Sequence, residues 1–436
     1  MELHIGLDDV DSPKGGCTTY LGYLIARYLK SRGAEPLDLP YLVRLNPNVP
    51  AKTRGNGAVS FHVKVEDSLV EEIVRGVEAI TSSAAERHGK TSPGLLVASG
   101  DALSSISIVY SRALNEYLPR SYVEELLEAL AKEGKVFATA HRGRGLVGAA
   151  AAVGAFPLRE FTYELLLYAS KTHVDRRALE STLVELDREY RPLLFATYDY
   201  AEKRPLALPR GPTPVVAGLR AVDPDVLLRA AKILEERFGL REWIIYKTNQ
   251  ATRVHLSRRK RISQVRPYDS VVVRGRVSAR PVVLRGGHVK VVLCDESGCL
   301  AAMFYWETGR LRHVARLLEE GDLVEIGGGV VPRWGLTLNA EYVRVIEVKP
   351  REVIQNPLCP RCGARMESAG RGKGFKCPKC GFRAREVAKV RRVYARILEP
   401  GEYVASPRAY RHLTQPQEIR GLEARDAPPA WLIGEG

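Results

Sequence analysis

Apolar and polar positions along the chain repeat with two periods, and the switches between them mark out its elements. Residues 2–7 (ELHIGL) read as a short buried strand. It runs into Asp8-Asp9-Val10-Asp11-Ser12, then Pro13, Gly15 and Gly16, then Cys17-Thr18-Thr19. From Tyr20 to Arg32 the period becomes helical, with Leu21, Leu24, Ile25, Tyr28 and Leu29 on one face. The chain therefore opens as strand, acidic loop, helix. A second strand is predicted at 41–45, and after a basic loop come a strand at 58–65, a helix at 68–81 and a strand at 94–99. Residues 135–140 read as a strand leading into His141-Arg142-Gly143-Arg144-Gly145, after which a small-residue helix begins. Residues 162–170 read as helical. A further strand, helix and strand follow at 214–220, 223–238 and 242–247. Two β-α-β units make a ferredoxin-like domain. The segments 58–100 and 214–247 are therefore expected to pair, leaving a discontinuous catalytic domain of roughly 1–57 plus 101–195.

After the basic run Arg258-Arg259-Lys260-Arg261 the texture changes. Strands at 270–278, 289–294 and 299–305, a helix at 311–319 and strands at 323–326 and 336–347 follow. Three strands, a helix and two strands is the order of an OB-fold. A cysteine cluster and a Pro-containing tail, expected to be basic, complete the chain.

Composition narrows the choice of partner. The 436 residues carry 66 Lys+Arg and 51 Asp+Glu, a formal charge of +15, which favours a polyanion. Apolar residues make up 45%, enough for real cores and too many for a wholly disordered chain. The least polar stretch, Gly145 to Phe156, is short of the roughly 20 residues a membrane span needs. No secretory signal is visible behind Met1-Glu2-Leu3-His4, so an intracellular, cytoplasmic protein is expected. Three Met, seven Asn and five Gln fit a thermophile.

The sharpest chemical signal is Cys359-x2-Cys362 and Cys377-x2-Cys380, whose four thiolates suit a closed tetrahedral zinc site. Gly363 and Gly381 follow each pair, where a knuckle needs a permissive backbone. Arg361, Arg365, Arg371, Lys373, Lys376 and Lys379 would surround the metal with positive charge. The next signal is Asp8, Asp9 and Asp11. Three carboxylates in four residues repel unless a cation sits among them, and Mg²⁺ takes carboxylates together with substrate phosphates. Strand periodicity sends Asp9 and Asp11 to one side, and the helix start at Thr18 offers free N–H groups to a phosphate. A solvated acidic turn capped by Thr18 would carry the same residues. Two Gly-basic loops, Lys52-Thr53-Arg54-Gly55-Asn56-Gly57 and Arg142-Gly143-Arg144-Gly145, read as phosphate loops or as plain basic turns. A dinucleotide reading of the second loop fails, because no strand with a terminal acid is predicted about twenty residues on. Tyr198-Asp199-Tyr200 sets an acid between aromatics, which suits a guanidinium or ammonium guest, or an ordinary loop. Cys294 and Cys299 read as apolar fillers of the barrel, and the nine His show no ligand spacing.

Taken together, IGLDDVDSPKGGCTTYLG, RLNPNVPAKTRGNGAVSF, HRGRGLVGAAAAVGA, KTNQATRVHL, RGRV with GGHVKV, and CPRCGARMESAGRGKGFKCPKCG resemble the archaeal tRNA(Ile) 2-agmatinylcytidine synthetases, from residue 1 to past residue 410. The resemblance implies a multidomain α/β plus β protein: a kinase-type α+β catalytic domain (1–195, with 58–100 open to assignment to the ferredoxin-like domain), a ferredoxin-like domain with basic linker (196–262), an OB-fold barrel (263–350), a zinc ribbon (351–395) and a tail (396–436). It implies an ATP-dependent ligase that phosphorylates the 2-carbonyl oxygen of the wobble cytidine in an isoleucine tRNA with a CAU anticodon, and then replaces it with agmatine. ATP, Mg²⁺ and Zn²⁺ are the implied cofactors, tRNA and agmatine the partners, and a monomer is expected. Asp8, Asp9 and Asp11 would hold Mg²⁺. Thr18 would bind or transiently accept a phosphoryl group. Lys52, Thr53, Arg54, Gly55, Asn56, Gly57, Arg142, Gly143, Arg144 and Gly145 would bind ATP. Tyr198 and Asp199 would take agmatine. Arg258, Arg259, Lys260, Arg261, Arg371 and Lys373 would contact tRNA. Gln250 stands where this family is expected to carry His. Two other readings remain at this point: a non-catalytic single-strand binder built on the OB-fold and ribbon, and an ATP-dependent ligase using another amine.

Overall fold

The computed structural model describes residues 1–11, 16–50, 56–84, 91–139, 141–169, 174–209, 211 and 213–435. Its N-terminal half is organised on one ten-stranded sheet. The elements used below are β1 (Glu2–Asp8), α1 (Thr18–Ser31), β2 (Tyr41–Arg44), β3 (Gly57–Lys64), α2 (Val70–Ala84), β4 (Gly94–Ser99), α3 (Leu103–Ala113), α4 (Arg120–Lys132), β5 (Val136–Ala138), α5 (Leu146–Gly154), β6 (Thr162–Tyr168), α6 (Arg176–Tyr190), β7 (Leu194–Phe195), β8 (Val215–Ala221), α7 (Pro224–Phe238) and β9 (Glu242–Thr248). Sheet order is β5-β4-β1-β3-β2-β9-β6-β8-β7, and a two-residue strand at Glu35–Pro36 pairs with β3 off this path.

Two of the sequence expectations change here. Segment 162–170 reads as helical in the sequence, but Thr162–Tyr168 is a strand with all seven residues buried. Leu165, Leu166 and Leu167 are apolar on both faces, because the strand lies in the middle of the sheet between two layers. A run buried on both faces shows neither period. The expected pairing of 58–100 with 214–247 is also not formed. β3 and β4 flank β1 instead, in antiparallel register from Leu3↔Val63 and Leu3↔Ser99 onward. The four strands β9-β6-β8-β7, with α6 and α7 between them, make the ferredoxin-like unit out of contiguous chain. Its first strand thus falls before residue 196. The two halves join where β9 runs parallel to β2, at Lys247↔Tyr41 and Thr248↔Leu42.

Local chemistry supports these elements. Asp223 caps α7 by accepting the Asp225 N–H at 3.0 Å, Pro224 opens the helix, and Gly239 ends it at φ 68°. Six of the nine residues of helix α5 are Gly or Ala, and from Gly148 to Gly154 it is buried. A Cβ on Gly6 of β1 would lie 2.2 Å from the Ala149 carbonyl oxygen. Helix and strand approach this closely only because both lack bulk.

The second half is a closed barrel. β10 (Ser270–Val277), β11 (Val289–Asp295), β12 (Gly298–Phe304), α8 (Arg310–Leu317), β13 (Leu323–Val331) and β14 (Thr337–Glu347) follow the expected order, and β10 closes the ring by pairing with both β11 and β13. Cys294 and Cys299 face each other across β11 and β12 and are disulfide-bonded, so they are not the simple apolar fillers expected. Directly opposed antiparallel residues bring their Cβ atoms within bonding reach. A two-stranded ribbon, Arg351–Gln355 with Val390–Tyr394, leads into and out of the cysteine domain. No helix among the described residues is long and apolar enough to cross a membrane.

The tail is not the basic appendage expected. Over 396–436 its five Arg are outnumbered by six Asp and Glu. It returns to the N-terminal sheet and supplies partners that β2 is too short to give β9. Ile245 N–H donates to Leu432 O at 3.0 Å, Gly434 N–H donates to Trp243 O at 2.8 Å, and Trp431 Nε1–H donates to Ala34 O at 3.0 Å. Truncating this anchor with Trp431→Ala should cost about 2 kcal/mol, less than the roughly 3–5 of a fully buried Trp because the ring is only partly buried. Chemical denaturation checks this; an unchanged midpoint would mean the tail is not a structural strap.

Candidate active site

β1 ends at Asp8, and Asp9 turns the chain with φ 59°. The strand period therefore stops before it can place Asp9 and Asp11 on one side, contrary to the sequence expectation. Each acid meets a different group. Asp8 lies against the first turn of α5, where a Cβ on Gly148 would be 1.8 Å from Asp8 Oδ2, and its Oδ1 accepts the Asp9 N–H at 2.7 Å. Asp9, 2% exposed, receives Arg144 Nε at 2.9 Å and Nη2 at 2.8 Å on Oδ2. Asp11 accepts the Thr18 N–H at 2.9 Å, at the start of α1. Asp9 Oδ1 and Thr18 Oγ1 are buried and meet no hydrogen-bond partner among the described residues.

Burial dominates the titration of this cluster. It pushes the Asp8 carboxyl up to about 8; repulsion from Asp9 and Asp11 adds to the rise, while the Asp9 N–H and Arg144 oppose it. Asp9 is pushed up to about 6 by burial, again against Arg144. An acid this unwilling to ionise gains from a cation. The orphaned Asp9 oxygen and the Asp8 carboxylate fit a hard divalent ion that also takes phosphate oxygens. The three Asp do not converge as three ligands: among the described residues the four Cys are the only such group within 4.8 Å.

The basic loops divide. Lys52, Thr53, Arg54 and Gly55 lie outside the described residues. Asn56 donates to Leu45 O at 3.1 Å and Asn46 O at 3.2 Å, and Gly57 makes room for Arg44, whose Nη1 would be 2.5 Å from a Cβ there. In the second loop the Gly143, Arg144 and Gly145 N–H groups donate to Pro93 O, Ser92 Oγ and Ser92 O at 3.0, 2.8 and 2.9 Å. They are spent within the fold and do not form the oxyanion cradle expected of a phosphate loop. These glycines serve close approach to 92–94 and to Asp8. Arg142 turns outward to Glu128 at 2.9 Å, whereas Arg144 reaches the acids. Asp8, Asp9, Asn56, Arg144, Gly145 and Gly148 line one cavity of about 120 Å³, together with Glu116 and Arg120.

A larger cavity of about 590 Å³ shares Leu45 and Asn56 with the first. Arg44, Arg220, Arg408, Arg411 and His412 line it. Behind Arg44 and Arg220 sits Glu164, at 3.4 and 3.2 Å. None of these stands out in the sequence. Glu164 is hidden in the misread strand, and the others come from separated segments. Tyr198 and Asp199 stand apart from this lining. Asp199 accepts the N–H groups of Ala201 and Glu202, each at 3.2 Å, and Arg204 lies at 3.9 Å. Its carboxylate is engaged by a tight turn, which leaves the expected open acid for a dicationic guest without support.

In the ribbon, Cys359 and Cys380 Sγ, and Cys362 and Cys377 Sγ, are each 3.5 Å apart. A tetrahedron with Zn–S bonds of about 2.3 Å has edges of about 3.8 Å, so the quartet fits zinc. Gly363 and Gly381 have φ 70° and 73°, as the knuckles require. Arg371 and Lys373 are exposed between Gly370, Gly372 and Gly374. Of the linker run, Arg258 and Lys260 turn inward to Glu116 at 3.7 Å and Asp269 at 2.7 Å, while Arg259 and Arg261 stay exposed. These two line a groove of about 750 Å³ on the barrel, with Arg274 and Arg276.

Three family models match: the TiaS TCKD domain at 4–65, the TiaS FLD domain at 143–255 and the TiaS C-terminal zinc ribbon domain at 356–398. The chain is 53% identical to TiaS of Thermofilum pendens, a 2-agmatinylcytidine synthetase of isoleucine tRNA, over 99% of this chain and 98% of that one. A solved complex of TiaS with isoleucine tRNA and ATP superposes with TM-score 0.80 at 33% identity, covering 98% of this chain and all of that one. A complex of TiaS with isoleucine tRNA, AMPCPP and agmatine gives 0.79 at 31%, with the same coverage.

Two outcomes test the geometry. Between pH about 4 and about 8 the folded chain holds a proton on Asp8 that the unfolded chain has lost, so stability falls as pH rises through that window. In Mg²⁺-free buffer that leaves the ribbon zinc in place, Asp8→Asn should therefore raise the melting temperature, and more at pH 8 than at pH 5; an equal shift at both values would remove burial as the cause. Cys377→Ser should reduce the metal content from about one zinc per chain towards zero and open the ribbon to protease while the barrel stays intact.

Proposed function

Since the chain belongs to the TiaS family of tRNA(Ile) 2-agmatinylcytidine synthetases, we infer that it uses ATP to join agmatine to the wobble cytidine of an isoleucine tRNA with a CAU anticodon. The observation that carries this reading on the chain itself is the cavity where Asp8 and Asp9 meet Arg144, with the buried Thr18 hydroxyl at the adjoining helix start. It is a ligase of the C–N bond-forming kind and works in the cytoplasm.

The 2-carbonyl oxygen of cytosine is a poor leaving group and must first be phosphorylated. Phosphoryl transfer is mostly positioning and charge neutralisation. Arg144 bridges Asp9 and the cavity, and stabilises negative charge on a phosphoryl group there. Asp8 and Asp9 are the carboxylates suited to Mg²⁺, which when bound neutralises phosphate oxygens. The agmatine amine then attacks C2, and the C–O bond breaks as phosphate leaves with its electron pair. The amine loses one proton in forming the C–N bond. Transfer of one phosphoryl group to the carbonyl oxygen leaves ADP, so ATP ends as AMP and phosphates only with a second anhydride cleavage in which water takes the other phosphoryl group. Thr18 Oγ1, buried and without a partner among the described residues, binds a phosphoryl oxygen or accepts the group transiently.

The cytosine must leave the anticodon stack before it reacts. Arg259, Arg261, Arg371 and Lys373 are the exposed cations that contact tRNA phosphates. Methionine tRNAs share the CAU anticodon, so recognition extends beyond it. A binding module built on the barrel and ribbon alone would leave the Asp9–Arg144 pair without a role.

Radiolabelled agmatine should enter unmodified isoleucine tRNA only with ATP and Mg²⁺, and not methionine tRNA. Asp8→Ala and Asp11→Ala should each lower the rate by about 10² or more. Folded, zinc-loaded protein that transfers no label to intact tRNA would sink the agmatine assignment.

A further inference from the structure

Glu164 lies on β6, next to the seam between the two halves of the sheet, and is 3% exposed. Its Oε2 faces Arg44 Nη2 at 3.4 Å and also accepts from Gln250 Nε2; its Oε1 accepts from Arg220 Nε at 3.2 Å. An ionised carboxylate can only accept, so these contacts decide how Gln250 is turned. With Nε2 directed at Glu164, the oxygen Oε1 is left to accept from His412 Nδ1 at 2.9 Å. That places a proton on Nδ1 of His412. A hydrogen-bonded chain thus runs from the C-terminal segment through Gln250 to Glu164, and from there to two guanidinium groups.

The surroundings are built for this arrangement. Gln250 is completely buried. The strands flanking the cluster carry glycine where bulk would intrude: Gly57 beside Arg44, and Gly218, whose Cβ would stand 3.3 Å from Glu164 Oε1. The C-terminal segment is pinned along the same stretch, since Ala251 N–H donates to His412 O at 2.8 Å and Arg253 N–H to Leu413 O at 2.9 Å. Among the described residues no carboxylate lines the 590 Å³ cavity, whereas Arg44, Arg220, Arg408, Arg411 and His412 do. One carboxylate set behind two guanidiniums orients them without cancelling both charges; Arg408 and Arg411 have carboxylate partners of their own, Glu202 at 3.1 Å and Glu341 at 3.7 Å, so it is the Arg44–Arg220 pair that favours an anion.

We propose that Glu164 is a positioning residue, which aims Arg44 and Arg220 at a phosphate group bound in this cavity and is tied to the C-terminal segment through Gln250 and His412. The proposal rests on the reading above, which supplies two phosphate-bearing substrates, ATP and tRNA. A guanidinium held by a carboxylate loses less side-chain freedom when it engages a phosphate. Arg44 and Arg220 touch the phosphate; Glu164 acts through them.

The test uses full-length, zinc-loaded protein. Affinities for a non-hydrolysable ATP analogue and for isoleucine tRNA are measured separately at equilibrium, and KM for agmatine in turnover. E164Q should melt with the wild type and weaken one of the two phosphate ligands by about tenfold, with agmatine KM within about twofold. E164D should restore most of the loss. Loss of analogue affinity identifies the nucleotide as the source of the phosphate, and loss of tRNA affinity identifies the RNA; either supports the proposal. Unchanged affinity for both in folded E164Q overturns it. If E164Q does not fold, R220K, which keeps the charge but not the fork, takes its place with the same expected loss and the same overturning result. Wild-type protein that binds both ligands but forms no agmatine product defeats the functional reading alone, and the affinity comparison still decides the proposal. Wild-type protein that binds neither overturns both.

Discussion

The close approach of α5 to β1 is the constraint on which the rest of the N-terminal half depends. Gly6 and Ala149 let the helix lie directly on the strand, and Gly145 and Gly148 extend that contact to the strand's end. The first turn of α5 is therefore pressed against Asp8, and the loop before it delivers Arg144 to Asp9. A side chain at any of these glycines would lift the helix and separate the carboxylates from their cation. The small-residue composition of α5 is thus a consequence of where its N-terminus must sit. The burial that follows pushes both acids up, so the same packing that assembles the site also destabilises it in the absence of a positive ligand.

The two adjoining cavities divide the electrostatic work. The smaller one combines Asp8, Asp9 and Glu116 with Arg144 and Arg120; the larger one is lined by arginines, with the buried Glu164 behind Arg44 and Arg220 and the buried Glu341 beside Arg411. A reaction that brings together a polyanion and a cationic amine is served by such partition, since one undifferentiated basic cleft would repel the amine. Asn56 stands at the junction, anchored to the backbone of residues 45 and 46 rather than offered to a ligand.

What could be read from the sequence was local chemistry. The zinc cysteines announce themselves by paired spacing, and Asp8, Asp9 and Asp11 by crowding at a strand end. The Glu164 cluster has no such signature, because β2, β6, β8, the segment after β9 and the C-terminal segment each give it one residue. Only tertiary structure brings them together. The leucines of β6 hid its identity, since a strand buried on both faces loses the alternation that distinguishes it from a helix. The Cys294–Cys299 bond is an intermediate case. It follows once β11 and β12 are paired about the turn at Glu296-Ser297, which requires register as well as spacing.

The C-terminal segment shows why periodicity underestimates some regions. Its hydrogen bonds go to chain far away in sequence: residues 412 and 413 to 251 and 253, residue 432 to 245 and residue 434 to 243. A strap that borrows its partners one residue at a time needs no amphipathic pattern of its own, and so leaves none. It closes one wall of the larger cavity and completes the edge of β9, so a single segment couples the integrity of the site to that of the sheet. The larger cavity is consequently complete only when the last part of the chain has docked.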